Sequence, residues 1–260
     1  MLIFDSGIGG IAILENIKNK LPNKNYIYLL DNEGFPYGEK KESFIIKRST
    51  KIINTIKNLY PIKIVIIACN TASTVSLSVL KKKFNIPIIG VLPLLDKVTK
   101  IKKNNNIGFI ATKATINSSY VKNLISQYIN YINIKVIATN ELAKIAEKKM
   151  KKISISNYAL KTIFHSWMIP SVQPDIIYLG CTHFSFLKNE IQSIFYKPIS
   201  FLDSHTITTK AVKKYFLDNN NNQNIKKNIF LYSQDNIELD KLLHILKKYK
   251  FNDIKKINLN

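Results

Sequence analysis

The sequence has very little arginine, although it is strongly basic. Among 39 basic residues Arg48 is the one arginine, and the formal net charge of +22 comes from lysines scattered through every segment. Because arginine makes the bidentate phosphate and guanine contacts on which dedicated nucleic-acid binders rely, this composition predicts a solvated lysine surface and no specific nucleic-acid site. The excess of Lys, Ile and Asn indicates a coding bias toward A and T, and the asparagine run 219–222 is predicted to be a surface loop.

The sequence also lacks the marks of membrane, secreted, metal-binding and cofactor-binding proteins. No apolar run approaches the ~20 residues of a membrane-spanning helix. No signal peptide precedes Asp5, which predicts a cytoplasmic protein and argues against a disulfide. The metal-binding patterns CxxC and HExxH and the phosphate-binding patterns GxGxxG and GxxxxGK[ST] do not occur. No lysine stands out as a Schiff-base residue, so we expect neither a metal nor a cofactor.

The chain alternates strand-like and helix-like segments, which predicts an α/β fold with mainly parallel sheets flanked by helices. At 260 residues it can form one large domain or two modest ones. Strands are expected at 2–4, 26–30, 64–68, 87–91, 107–112, 175–179 and 228–232, with helices reaching about residue 20, over 41–59 and from about residue 117. A weak internal repeat predicts two similar lobes, residues 1–95 plus about 206–260 and residues about 96–205, with the active site in the cleft between them.

The only two cysteines lie in near-identical settings. Cys69 follows the apolar run 64–68, Cys181 follows the run 175–180, and each precedes a polar turn that leads into a helix. Ligand sites of open α/β sheets lie at such carboxyl ends of strands, and a helix N-terminus there predicts a lowered thiol pKa. A single buried cysteine is more often a small core residue, but the repeated setting favours a reactive pair in which one thiol gives a proton and the other takes it.

Five short blocks resemble the glutamate racemase family in order and approximate spacing, over essentially the whole chain. The blocks are Phe4-Asp5-Ser6-Gly7-Ile8-Gly9-Gly10, Pro36-Tyr37-Gly38-Glu39-Lys40, Ala68-Cys69-Asn70-Thr71-Ala72-Ser73, Gly180-Cys181-Thr182-His183 and Asp203-Ser204. The resemblance implies two α/β lobes, cofactor-independent racemisation of glutamate and a supply of D-glutamate for peptidoglycan. Two positions depart from the family pattern, because Ser185 replaces a usual proline and His205 replaces a smaller residue.

The resemblance also implies roles for single residues. Racemisation removes the Cα proton on one face and returns a proton on the other, a task suited to a base on each side. By resemblance Cys69 and Cys181 are these bases, Asp5 assists the first, and His183 and Glu147 support the second. The implied substrate contacts are Asp5, Ser6, Tyr37, Gly38, Asn70, Thr71, Thr112, Thr115, Thr182 and His183.

Plainer interpretations of these residues stay open at this point. Asp5 could cap a helix, Tyr37-Gly38 could be an ordinary turn after a proline, and Glu147 could be a solvated helix glutamate. The other histidines are expected to be structural: His165, His205 and His244.

Two alternative functions also stay open. One is a racemase of aspartate or another amino acid, and the other is a basic protein that binds nucleic acid or a protein partner, for which steeply salt-dependent DNA binding would speak. Glutamate is the expected small-molecule partner, and assembly as a homodimer is left undecided.

Overall fold

The computed structural model describes residues 1–95, 106–128, 130, 132–218, 228–235 and 238–259. Its strands, in chain order, are β1 (Leu2–Asp5), β2 (Tyr26–Leu30), β3 (Val65–Ile67), β4 (Ile88–Gly90), β5 (Ile107–Ala111), β6 (Ile134–Ala138), β7 (Ile176–Leu179), β8 (Ser200–Leu202), β9 (Asn228–Tyr232) and β10 (Asp253–Lys256). Its α-helices are α1 (Ile11–Lys20), α2 (Glu42–Leu59), α3 (Asn70–Lys83), α4 (Lys113–Asn117), α5 (Ser119–Tyr128), α6 (Glu141–Met150), α7 (Asn157–Phe164), α8 (Lys188–Ser193), α9 (His205–Asp218) and α10 (Leu239–Lys248).

The strands form two parallel sheets, as the predicted fold class requires. The six-stranded sheet has the order β10-β9-β2-β1-β3-β4, and the four-stranded sheet has the order β6-β5-β7-β8. Every described strand pair is parallel. We call the two halves the first lobe and the second lobe after these sheets. The C-terminal strands β9 and β10 and the helix α9, which packs on α1, belong to the first lobe.

The central strands read as continuous apolar runs because both of their faces are covered. Leu2 and Phe4 of β1 contribute to the core under α2 and α3, whereas Ile3 contributes to the core under α1 and α10. Strands buried on both faces are typical of parallel sheets with helices on each side. The register pairs Phe4 with Ile67, and this pairing brings the segments that follow β1 and β3 to the same sheet edge.

The helix expected from about residue 117 is α5, which begins at Ser119, and a separate short helix, α4, precedes it. Helix α4 starts at Lys113 because the Thr112 side chain accepts a hydrogen bond from the Thr115 backbone N–H and so caps the first turn. The asparagine run 219–222 lies outside the described residues. Among the helices that the structure describes, none has the length and apolar character needed to cross a membrane.

Candidate active site

Cys69 lies at the carboxyl end of β3, beside the carboxyl end of β1. The thiol residue is buried, and its carbonyl receives the first backbone hydrogen bond of α3, from Ser73 at 2.9 Å. Asp5, the last residue of β1, is fully buried next to it. The Asp5 carboxylate accepts hydrogen bonds from the Ser6 backbone N–H at 2.7 Å and from the Thr182 hydroxyl at 3.2 Å. The aspartate therefore joins the first lobe to the Cys181 segment.

The expected lowering of the Cys69 pKa is wrong for this structure. Burial raises the pKa of the Cys69 thiol well above its ordinary value, and the neighbouring charge of Asp5 raises it further. Burial also raises the pKa of Asp5, although the charge of His183 and hydrogen bonds from Cys69, Ser6 and Gly10 oppose this. Desolvation and a like charge therefore outweigh the dipole of α3 at Cys69.

Cys181 follows β7 of the second lobe and has a different neighbour. Its Sγ lies 3.8 Å from Nδ1 of His183, and the His183 Nε2 lies 2.8 Å from the Glu147 carboxylate. The same Glu147 oxygen accepts the backbone N–H of Ile8, on the first lobe, at 2.6 Å. Glu147 is therefore no solvated helix glutamate, because α6 directs its carboxylate between the two lobes.

The proton positions around His183 follow from these partners. The Gly9 backbone N–H also lies 3.2 Å from Nε2, but a proton on Nε2 donated to the Glu147 carboxylate makes the shorter and charge-assisted bond. Nδ1 is then directed at the Cys181 thiol. Burial lowers the pKa of His183, yet its bonds to Cys181 and Glu147 and their charges raise it well above its ordinary value. Burial acts to raise the pKa of Glu147, but the bond and charge of His183 lower it overall.

Two glycines after β1 allow the lobes to approach each other. A Cβ on Gly7 would lie 2.5 Å from both Glu147 Oε1 and His183 Nε2, and a Cβ on Gly9 would lie 2.4 Å from His183 Nδ1. Side chains at these positions would push the histidine away. The glycines are needed here for close packing against the second lobe.

Three threonine hydroxyls meet at another point between the lobes. Thr71, from the first turn of α3, lies 2.9 Å from Thr112 and 3.0 Å from Thr115, which are themselves 2.8 Å apart. All three residues are buried. Asn70 lies beside them, but its amide group donates to the Val91 carbonyl at 3.0 Å, so part of its hydrogen-bonding capacity is already used.

Tyr37 and Gly38 lie in a segment of the first lobe that contacts α4 of the second lobe. The buried Tyr37 hydroxyl donates to Asp31 at 2.5 Å, and Arg48 also bonds this aspartate. The Tyr37 side chain is thus engaged within the first lobe, which leaves backbone groups for any ligand contact. A Cβ on Gly38 would lie 2.8 Å from Thr112 of the second lobe.

Ser6, Thr182 and the two unusual residues complete the arrangement. Ser6 is buried and lines a cavity of about 150 Å³ together with Gly7, Leu30, Asn32, Phe35, Glu147, Lys151 and Leu242. Ser185 donates its hydroxyl to the Thr182 carbonyl at 2.8 Å, and the His205 backbone N–H donates to Asp203 at 3.1 Å. Both departures from the family pattern are therefore accommodated by local hydrogen bonds.

The sequence interpretation missed two contributors. Phe35 packs against the His183 ring, with 5.9 Å between ring centroids, and the Arg48–Asp31 pair anchors Tyr37. The rarity of arginine was a signal for the second of these, because a lone guanidinium in a lysine-rich chain suggests a site that needs its fork of donors. Within the described ranges no group of three His, Cys, Asp or Glu side chains is placed to hold a metal ion.

The chain is similar to known racemases over most or all of its length. The family model for Asp/Glu/hydantoin racemases matches residues 11–212. A glutamate racemase from Buchnera aphidicola subsp. Schizaphis graminum is 61% identical over 260 residues, which is 100% of each chain. The crystal structure of Escherichia coli glutamate racemase in complex with L-glutamate and the activator UDP-MurNAc-Ala superposes with a TM-score of 0.90 at 34% identity and covers 99% of this chain and 97% of that one. The glutamate racemase of Campylobacter jejuni superposes with a TM-score of 0.73 at 28% identity and covers 96% and 98% of the two chains.

Proposed function

The chain belongs to the Asp/Glu/hydantoin racemase family and is an amino-acid racemase, and on that premise we propose that it interconverts L- and D-glutamate through Cys69 and Cys181. The observation that carries the mechanism is the pair of buried thiols, one from each lobe, each beside its own ionisable partner. The charge of Cys181 also acts on the pKa of Cys69, so the two thiols are electrostatic neighbours.

The reaction needs one thiolate and one thiol. The thiolate takes the Cα proton, and the electron pair passes into the α-carboxylate as a planar carbanion. The opposite thiol then gives its proton to the other face, so that the number of protons on the enzyme is unchanged. By analogy with the family, Cys181 deprotonates L-glutamate and Cys69 deprotonates D-glutamate.

The partners of each thiol supply its ionised form in different ways. Nδ1 of His183 is placed to accept the Cys181 proton, and Glu147 stabilises the imidazolium that results. At Cys69 the partner is Asp5, whose own pKa is raised by burial and which therefore accepts a proton more readily than an exposed aspartate does. The α-ammonium of the substrate adds a positive charge that favours thiolate. Cys69 and Asp5 shift each other's pKa, so an apparent pKa belongs to the pair.

The polar groups of the cleft suit a molecule with two carboxylates and one ammonium. The hydroxyls of Thr71, Thr112 and Thr115 and the first backbone N–H groups of α3 can donate to carboxylates. Asp5 provides a negative charge for the ammonium. We expect the product D-glutamate to supply peptidoglycan synthesis in the cytoplasm, with no metal or organic cofactor.

Hydrogen exchange with solvent tests the proposal directly. Purified protein incubated with L-glutamate in D2O should place deuterium at Cα and form D-glutamate, as followed by proton NMR and circular dichroism. Activity should survive a chelator and the removal of pyridoxal phosphate. Exchange with aspartate and none with glutamate would refute the substrate assignment.

Complementation tests the cellular role. Expression in a bacterial strain that requires D-glutamate should permit growth without it, whereas the Cys181→Ser variant should not. Growth supported equally by both proteins would refute the role of that thiol. Light scattering of the purified protein would decide whether the chain forms a homodimer.

A further inference from the structure

The two connections between the lobes meet at a single buried group. The first connection follows β4 of the first lobe, and residues 91–95 are its described beginning. The second connection, Asp203-Ser204, leads from β8 of the second lobe into α9 on the first. Asp203-Ser204 is one of the blocks that the sequence singled out, yet the proton transfers proposed above do not use it.

The group is the hydroxyl of Tyr178, on the central strand β7 of the second sheet. Its oxygen lies 2.6 Å from the Ser204 hydroxyl, on the second connection, and receives the backbone N–H of Leu94, on the first, at 3.1 Å. The Ser204 hydroxyl in turn donates to the Leu92 carbonyl, also on the first connection, at 2.6 Å. Tyr178 is 2% exposed and Ser204 is 2% exposed, so water does not compete for these bonds.

The direction of each bond is determined. Because Ser204 donates its one hydroxyl proton to Leu92, the Tyr178 hydroxyl must donate to Ser204, and Tyr178 accepts from Leu94. Each hydroxyl is thus used once as donor and once as acceptor. Burial raises the pKa of Tyr178 to about 12, so its donating proton is retained throughout the physiological range.

Both ends of this chain of bonds lead to the thiols. On the first lobe the Val91 carbonyl, one residue before Leu92, accepts the side chain of Asn70, the residue after Cys69. On the second lobe Tyr178 lies three residues before Cys181 on the same strand and its following turn. The chain of bonds therefore lies between the segments that carry the two thiols.

We infer that Tyr178 and Ser204 are positioning residues that hold the two lobe connections together and thereby set the distance between Cys69 and Cys181. The expected effect on catalysis rests on the proposed function. The positioning of the two connections does not depend on it. Loss of the chain of bonds should let the lobes separate more often without unfolding either one.

The test compares Tyr178→Phe and Ser204→Ala with Tyr26→Phe. Tyr26 is also buried and its hydroxyl donates to the Leu21 carbonyl, but it lies in the first lobe away from both connections, so it controls for the loss of a buried tyrosine hydroxyl. Alkylation of the two cysteines by iodoacetamide at constant pH, with each site quantified by mass spectrometry, measures how often the cleft opens.

We expect both cysteines of Tyr178→Phe to react about five- to thirtyfold faster than in the wild type, since the change removes two buried hydrogen bonds of about 1 kcal/mol each. Ser204→Ala should give a similar increase and Tyr26→Phe less than a twofold change. The labelling rates should rise with urea less steeply than global unfolding does, because separating the lobes exposes less surface than unfolding them. Labelling through unfolding would follow the steep urea dependence of the unfolding equilibrium. Addition of D-glutamate should restore slow labelling of both variants. With D-glutamate as substrate, the two variants should show a raised KM and a smaller change in kcat.

Unchanged labelling in both variants, or labelling rates that rise with urea as steeply as global unfolding does, would overturn the inference. The labelling experiment requires no catalysis. A protein that fails to racemise glutamate but shows the expected labelling would refute the proposed function and leave the positioning role intact.

Discussion

The support of Cys181 by His183 and Glu147 makes a specific prediction for the variant Glu147→Gln. Glutamine keeps the shape of the side chain but removes the charge that, with burial and the bond to Cys181, sets the pKa of His183. A hydrogen bond to a charged group contributes about 1.5–3 kcal/mol. Loss of that amount from the transition state should lower kcat/KM about 10- to 150-fold.

The direction of the reaction should reveal which thiol is affected. Because the enantiomers of free glutamate have equal free energies, kcat/KM must fall equally in both directions. The isotope effects in the two directions, in contrast, can differ. With Cys181 weakened, proton removal from L-glutamate becomes the slow step, so L-glutamate deuterated at Cα should show a larger primary isotope effect than in the wild type. The D-enantiomer should instead show a larger solvent isotope effect.

Glu141→Gln is the matched control, because this glutamate lies on the same helix, is 66% exposed and pairs with Lys144. The control should differ from the wild type by less than twofold. The reasoning about Cys181 is refuted if kcat/KM of Glu147→Gln also stays within twofold of the wild type. It is refuted as well if the primary isotope effect increases for the D-enantiomer alone. Glu147 would then serve only to join the lobes.

Further predictions concern the thiols, the folded state and the surface. Cys69→Ser and Cys181→Ser should each lower the racemisation rate by at least the roughly 10²–10⁴-fold typical of one acid–base group, and near-normal turnover by either would exclude two-thiol catalysis. The raised pKa of His183 stabilises the folded state fully at pH values below the unfolded pKa of about 6.5, and this stabilisation is lost as pH rises through the folded pKa. Urea unfolding from pH 6 to 9 should therefore show a decrease in the free energy of unfolding that His183→Gln lacks. Arg48→Met should lower the free energy of unfolding by about 3–5 kcal/mol, because it removes the ion-pair partner of the buried Asp31 carboxylate. The control Lys51→Met, at an exposed position, should change it by under about 0.5 kcal/mol. Equal effects of the two changes would refute the argument. DNA binding should be weak and independent of sequence, and nanomolar affinity for one sequence at physiological salt would contradict this.

The sequence predicted seven of the ten described strands because the signal of a buried strand is local, whereas β6, β8 and β10 were not expected. Strand β2 was expected at 26–30 and occupies Tyr26–Leu30, and β9 was expected at 228–232 and occupies Asn228–Tyr232. Apolar side chains buried on both faces mark such strands without knowledge of their neighbours. The short helix α4 was not predicted, because its start depends on a single capping side chain, Thr112.

The pKa values show the limit of local reasoning. A thiol before a helix was expected to be acidic, but at Cys69 the pKa depends on burial and on Asp5, which is distant in sequence and adjacent in space. At Cys181 the first turn is a short 3-10 segment, Thr182–Leu187, and the nearest ionisable partner is His183. Motif spacing could not distinguish these two environments.

By itself the sequence determined the α/β class, the buried strands and the two equivalent positions of Cys69 and Cys181, because apolar runs and short motifs carry this information in neighbouring residues. The contacts of the polar side chains, in contrast, come from the tertiary structure. It joined Glu147 to Ile8 and His183, and it engaged the Tyr37 hydroxyl with Asp31 inside the first lobe. Hydrogen bonds and desolvation act over a few ångströms between residues far apart in the chain, so they are settled when the two lobes pack together.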